Sequence, residues 1–415
     1  MPFMKNSMRL LTSALFLCAG ASVASANAFV LNDFSARATG RGDATIATTS
    51  DGSSIVYNVA GIAAQTGVNF FVGGSFIKAI GSFTPDATGE KTETDSPMAI
   101  TPGIYVTARV AKMVVVGLGF HTPFGSRIVW PDNAPTTDEV TSQALRTYFI
   151  TPSVGLDLSE QVPGLRIGAG IDLVPATVEL NQNLYFGNAQ GTASLGGNAF
   201  GIGGRAGITY TPEAAPRLSL GLVYRSKVKL DFEGDGDFDA AEPFRSQLPP
   251  DGPIKTSITL PQSVGFGVAV RPSDRIEVEA NAMWMGWSSL KSLIVDLPGG
   301  AQTVSPRDYE DKVSIRLGAE YKAIPNKLDV RVGYMYDPTP IPAKTLTAAL
   351  PDANRHDLTV GASYHFGNYH ADLGLLWVTP ADKDTSAEPY MPNYKGTFGI
   401  EVFLGSVSFG GHFGD

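Results

Sequence analysis

Asp235-Gly236-Asp237-Phe238-Asp239 sets three carboxylates at alternate positions, as the opening of a calcium-binding loop does. Ala240 stands where such a loop turns on glycine and Ser246 where it closes with a glutamate, so the stretch reads as a solvated acidic loop. Gly201-Ile202-Gly203-Gly204-Arg205-Ala206 has the glycine spacing of a dinucleotide-phosphate turn. It falls inside a strand-like stretch, without the following helix N-terminus that would hold a phosphate. His121, His356, His365, His370 and His412 show no metal-ligand spacing, and no Gly-x-Ser-x-Gly occurs. No metal, no cofactor and no enzyme activity are expected. Arg225 and Lys227 remain, two cations that could receive a carboxylate or pair with neighbouring acids.

Their setting is a strand. In RLSLGLVYRSKVKLDF, residues 217 to 232, Leu218, Leu220, Leu222, Tyr224, Val228, Leu230 and Phe232 alternate with Ser219, Gly221, Arg225, Lys227, Lys229 and Asp231. Period two gives one apolar and one polar face, over a length well beyond the roughly five or six residues of an ordinary strand. About fourteen segments of this kind follow one another, near 68–82, 100–111, 113–129, 143–158, 164–181, 196–211, 217–233, 255–271, 275–289, 312–323, 327–337, 355–366, 368–379 and 396–413. Long connections (83–99, 130–142, 182–195, 234–254, 290–311, 338–354, 380–395) alternate with tight ones such as Pro272-Ser273-Asp274, Ile324-Pro325-Asn326 and Gly367. That sorting predicts an all-β transmembrane antiparallel barrel of about 14 strands, with both chain ends on the short-turn side. Strands can cross lipid only when every backbone group is paired, which closes the sheet on itself. The even residues of 218–232 are then expected to face lipid, and Arg225, Lys227 and Lys229 the interior. Trp130, Trp284, Trp287, Trp377, Tyr210, Tyr224 and Tyr336, near strand ends, suit an aromatic girdle.

Lys5 and Arg9 before the apolar run Leu10 to Ala21, with Ala24-Ser25-Ala26 behind it, read as a signal peptide over residues 1–26. Cys18, the single cysteine, leaves with it, and the net charge falls from −9 to −11, which does not favour nucleic acid. Residues 27–66 are small and polar, yet Phe29, Leu31, Phe34, Ile46, Ile55, Tyr57 and Ile62 make them too apolar for a solvated tail. They are expected to form a hatch inside the barrel of 67–415. Inward glycines such as Gly168, Gly221, Gly318, Gly333 and Gly374 leave room for it. Inward charges including Arg205, Glu277, Glu279, Arg316, Glu320 and Arg331 offer partners to Asp33, Arg41, Asp43 and Asp51.

Phe29-x-Leu31-Asn32-Asp33-Phe34-Ser35, Gly40-Arg41, Asn58-Val59-Ala60-Gly61, Thr122-Pro123-Phe124-Gly125, Trp287-Ser288 and Asp337-Pro338-Thr339-Pro340-Ile341-Pro342, in this order, resemble the outer-membrane transporters of the FadL/TodX family. The resemblance implies a monomeric barrel in the outer membrane of a Gram-negative bacterium, with lipopolysaccharide outside. It implies that hydrophobic compounds, long-chain fatty acids or hydrocarbons, diffuse in past the hatch (Arg41, Asp43, Asn58, Ala60) and leave sideways beside the third strand. Phe29, Phe120, Phe124, Arg225, Lys227 and Met283 are the expected substrate contacts, and Thr122, Pro123 and Gly125 the lateral opening. Pro123 has no N–H to give a ladder, which is a physical reason for a break there. Two departures stand out. Val59 occupies a position where the hatch commonly has proline, and Thr177 and Glu179 occupy places where fatty-acid transporters carry basic residues. A porin for small polar solutes is the alternative reading, and a barrel hydrolase a more distant one.

Overall fold

A computed structural model describes residues 28–187 and 189–414, so the signal-peptide reading lies outside the described residues. Fourteen wall strands run antiparallel. They are β1 (Val68–Pro85), β2 (Ala99–Ala111), β3 (Val114–His121, then Gly125–Val129), β4 (Ser142–Thr147, then Phe149–Asp157), β5 (Leu165–Phe186), β6 (Ala189–Tyr210) and β7 (Leu218–Arg225, then Val228–Ala240). The second half comprises β8 (Gly252–Leu260, then Ser263–Ser273), β9 (Ile276–Met285), β10 (Lys312–Ile324), β11 (Leu328–Asp337), β12 (Arg355–Phe366), β13 (Tyr369–Asp384) and β14 (Gly396–Phe413). Each pairs with its neighbours in sequence, and β1 pairs with β14 from Val68↔Phe413 to Pro85↔Gly396, which closes the cylinder.

Several outer connections differ from expectation. The stretch 182–195 is not a loop: β5 and β6 run 22 residues each and meet in a tight turn. Beyond the apolar slab a strand no longer needs a lipid-facing apolar row, so Asn181-Gln182-Asn183 and Gly191 to Gly197 carry no alternation that would reveal it. The Asp235 stretch is likewise strand, with Asp235, Asp237 and Asp239 exposed along one face of β7, and 290–311 contains a hairpin, Ser292–Asp296 with Gln302–Pro306.

The face assignment for 218–232 holds only for its first half. Leu222 and Tyr224 point outward, but Val228, Leu230 and Phe232 are buried inside while Lys227, Lys229 and Asp231 are outside. The pairing explains the exchange. Arg225 is opposite Arg205, but Glu233 is opposite Asn198, so β7 holds one extra residue relative to β6 across Ser226-Lys227. A one-residue bulge swaps the faces. Trp130 and Trp287 also point inward, buried, rather than into a girdle.

The segment 28–66 is buried in the bore. It forms short helices at Ala36–Thr39 and Ser54–Tyr57 and a 3-10 turn at Val59–Ala64 capped by the Asn58 side chain. Its backbone runs so close to the wall that a Cβ on Gly374 would lie 2.6 Å from the Ala36 carbonyl, and one on Gly168 2.6 Å from Val59. Gly374→Val is therefore expected to unseat the segment, at a cost of about 1–3 kcal/mol from overpacking. Faster protease cleavage within 28–66, in a barrel that still shows heat-modifiable electrophoretic migration, is the check.

Candidate functional site: a breached wall and an apolar cavity

Arg41 is fully buried and faces three carboxylates from the wall: Glu277 at 2.9 Å, Glu279 at 3.6 Å and Glu320 at 3.7 Å. Glu279 in turn accepts from the Ala47 amide at 2.8 Å and the Thr48 hydroxyl at 2.5 Å, and Arg331 donates to Glu320 at 2.6 Å. On the opposite wall Arg205 donates to Asp172 at 2.9 Å and to the Ile55 carbonyl at 2.6 Å. Asn58 donates to the carbonyls of Ile46 (2.8 Å) and Ile208 (3.1 Å) and accepts from the buried Ala60 amide (3.2 Å). Buried charges persist only when paired and hydrogen-bonded; these pairs fix 28–66 across the bore. Asp43 is buried in left-handed backbone geometry (φ 52°) within the same turn.

The wall is broken beside this segment. The β2–β3 ladder ends at Ile104↔Phe120, and among the described residues the upper half of β3 forms a strand ladder with β4 only. At its outer end the Asp95 amide, ahead of β2, donates to the Val129 carbonyl (2.8 Å) and the Val129 amide donates to the Ser96 hydroxyl (3.1 Å). His121↔Phe149 and Gly125↔Arg146 frame three residues, Thr122-Pro123-Phe124, against two on β4, so β3 changes face here as β7 does. The N-terminal segment bridges the break. Leu31 donates its amide to the Pro123 carbonyl (2.9 Å), the Gly125 amide donates to the Phe29 carbonyl (2.8 Å), and Val30 pairs with Phe124.

Above the segment lies an apolar cavity of about 400 Å³, lined by Phe29, Leu145, Val178, Phe232, Ile258 and Tyr309 among others. Phe29 joins break and cavity: its ring packs edge-on against Trp287 (4.8 Å) and against Phe124 (6.2 Å), whose ring also meets Phe149 (6.0 Å).

Residues 17–389 match the family model described as "Outer membrane protein transport protein (OMPP1/FadL/TodX)". The chain belongs to this family. It is 25% identical to outer membrane protein P1 of Haemophilus influenzae, over 90% of each chain. It is 24% identical to the long-chain fatty acid transport protein of Salmonella typhi, over 87% of this chain and 89% of that one. Among solved structures, a FadL homologue of Pseudomonas aeruginosa superposes with a TM-score of 0.81 at 17% identity, over 93% of this chain and all of the other. The toluene transporter TodX of Pseudomonas putida does so with 0.75 at 18%, over 93% and 100%. The protein is thus an outer-membrane transporter of the FadL/TodX type, in the outer membrane of a Gram-negative bacterium.

Within this transporter the expected substrate contacts separate. Phe29 and Phe124 meet at the break. Phe120 does not: it points outward on β3 and stacks on Tyr148 (6.1 Å, 9° between planes), because it precedes the change of face. Lys227 is exposed outside the barrel for the corresponding reason on β7. Arg225 points inward, but its guanidinium donates to the Val56 carbonyl, away from the cavity. Met283 packs on Ile46 and Val223 below it. The sequence reading missed Tyr309 and Leu290, which come from the connection after β9; apolar residues there carry no strand period, and Trp287, in the Trp287-Ser288 pair, was the marker. It also missed Ile258, which sits on the alternating stretch of β8 but packs inward against the cavity cluster.

Asp352, in the connection between β11 and β12, holds the start of the described chain: it accepts from the Ala28 amide (3.1 Å) and the Thr339 hydroxyl (2.7 Å). Burial pushes its carboxyl up to about 6. A carboxyl raised in the folded state stabilises that state while protonated, so its contribution is present below the ordinary value near 4 and is lost as pH rises through about 6. Hydrogen-exchange protection at 28–31, corrected for intrinsic exchange rates, should accordingly fall between pH 4 and 7 in the wild type (values bracketing the shift). Asp352→Asn should remove the dependence.

Proposed function

We propose that the protein takes up uncharged hydrophobic compounds, of hydrocarbon type, by diffusion into the apolar cavity and lateral release between β2 and β3, with 28–66 acting as the hatch. The observation that carries this reading is the break at Thr122-Pro123-Phe124, spanned by Phe29–Leu31 at the floor of the cavity. A hydrophobe gains nothing in the aqueous periplasm, whereas each methylene delivered into lipid keeps about 0.8 kcal/mol of transfer free energy. The cavity lining favours neutral cargo: Asp138, Glu139 and Glu179 outnumber Arg307, and Arg225 and Lys227 are turned elsewhere. The relatives named for toluene and for long-chain fatty acids bracket this choice. The barrel works as a single copy without an energy-coupling partner or catalysis, and its charged outer collar, including Lys227 and Lys229, meets lipopolysaccharide.

Cells lacking their own transporters and expressing this protein should accumulate labelled toluene faster than labelled oleate, while the purified protein in a planar bilayer passes little steady current. Large steady conductance without hydrocarbon uptake would support a polar-solute porin instead.

A further inference from the structure

At the short-turn end of the bore, beneath the segment 28–66, lies another cavity of about 280 Å³, polar where the one above is apolar. The segment roofs it with Arg37, Thr48, Thr49 and Ser50, and the periplasmic ends of β5 to β10 enclose it. Its size is near the lower end of the roughly 300–1,000 Å³ of small-molecule sites.

Its charges do not cancel. Arg37, Arg166, Arg271, Arg275 and Lys322 line it against Asp274, Glu277 and Glu320, in a chain whose net charge is −9. The acids are already engaged: Glu320 by Arg331 at 2.6 Å and Arg37 at 3.2 Å, Glu277 by Arg41 at 2.9 Å, and Asp274 by Arg217 at 2.9 Å. Arg166 leans on Asp157 at 3.6 Å. Arg271 reaches Glu277 only at 3.9 Å, and among the described residues Arg275 and Lys322 have no carboxylate within 4.0 Å.

The wall also sets like charges side by side. The Arg271 amide donates to the Arg217 carbonyl (2.9 Å) across β7 and β8, and the Lys322 amide donates to the Arg275 carbonyl (2.9 Å) across β9 and β10. Cations directly opposite on paired strands repel. Asp274 relieves the first pair through Arg217, whereas Arg275 beside Lys322 has no such relief. An anion between them turns the repulsion into attraction.

We propose that this cavity binds a phosphate group at the periplasmic face, held by Arg271, Arg275 and Lys322 of the wall beneath Ser50 of the segment 28–66. The guanidinium fork matches phosphate oxygens in pairs and lysine adds a point charge, and a phosphate carries about two negative charges near pH 7. The group arrives either as a soluble phosphate of the periplasm or as the head group of a phospholipid in the inner leaflet; the chemistry that recognises it is the same. Because the site is complete only while 28–66 is seated, a bound phosphate clamps that segment to the periplasmic rim.

Limited proteolysis of the purified protein in a glucoside detergent tests the clamp, and because cargo plays no part in the readout, its failure leaves the transport reading untouched. At roughly ten times its Kd, sodium phosphate should slow cleavage within 28–66 by about tenfold relative to sodium chloride of equal ionic strength, the factor that binding to the seated state alone gives. Arg275→Gln combined with Lys322→Gln should abolish the slowing, and Lys322→Arg should keep it. Slowing by a short-chain phosphatidylglycerol but not by phosphate would support the site with lipid as its source. Equal cleavage rates in phosphate, phosphatidylglycerol and chloride, or equal slowing in the double variant, would overturn it. Should the double variant fail to fold, Arg275→Gln alone decides: a phosphate affinity lowered by about tenfold is expected from losing one charge-assisted contact, and an unchanged affinity would overturn the site.

Discussion

Replacing Pro123, Phe124 and Gly125 with Val, Thr and Val leaves a folded barrel that no longer takes up hydrocarbon. Proline withholds the amide that a continued ladder needs, and the three residues Thr122 to Phe124 oppose two on β4, so the upper half of β3 turns away from β2. A regular strand at these positions supplies the missing donor and side chains that favour the pleated surface. The ladder that stops at Ile104↔Phe120 can then continue towards Ala99, displacing the bridge made by Phe29–Leu31. Uptake should fall by at least about tenfold, the factor produced by roughly 1.4 kcal/mol of added barrier. Heat-modifiable migration and extraction from the outer-membrane fraction should match the wild type. Unchanged uptake through the sealed wall would refute lateral release.

Arg41→Met is the second large effect. Methionine keeps much of the volume but leaves Glu277 and Glu279 facing each other in the bore without their shared cation, while Glu320 retains Arg37 at 3.2 Å and Arg331. Removing one partner of a buried charge cluster typically costs about 3–5 kcal/mol, enough to release 28–66 from the wall. The variant should show steady ionic current in a planar bilayer and rapid cleavage within 28–66, both weak in the wild type. Arg41→Lys should fall between the two, because one ammonium cannot span three carboxylates as a guanidinium does. A silent bilayer for Arg41→Met would mean that the glycine contacts, not the ion cluster, hold the segment.

The barrel was legible because lipid imposes a strict rule on strands: Ile276, Val278, Ala280, Ala282 and Trp284 show an unbroken apolar row to one side, and the structure turns that row outward. The cavity was not legible because the rule inverts at the membrane boundary. Below it apolar residues face out to lipid; above it they face in to the cavity, and a one-residue bulge at Ser226-Lys227 makes the exchange without disturbing the written alternation from Leu218 to Phe232. Lys227 and Phe120 were misplaced by the same effect, at the bulges in β7 and β3. Pro123 was readable because a missing N–H is a local property. The Arg41 cluster was readable only in part: its acids showed in the inward rows, but which of them met Arg41 depends on how 28–66 is threaded.

The most direct measurement is a crystal structure with a bromine-bearing hydrocarbon diffused into the protein, located by its anomalous signal. The account places bromine in the cavity beside Phe29, Phe232 and Tyr309, and at the wall between β2 and β3. Bromine threaded down the bore beside Arg41 and Glu277, with none at the wall, would contradict it.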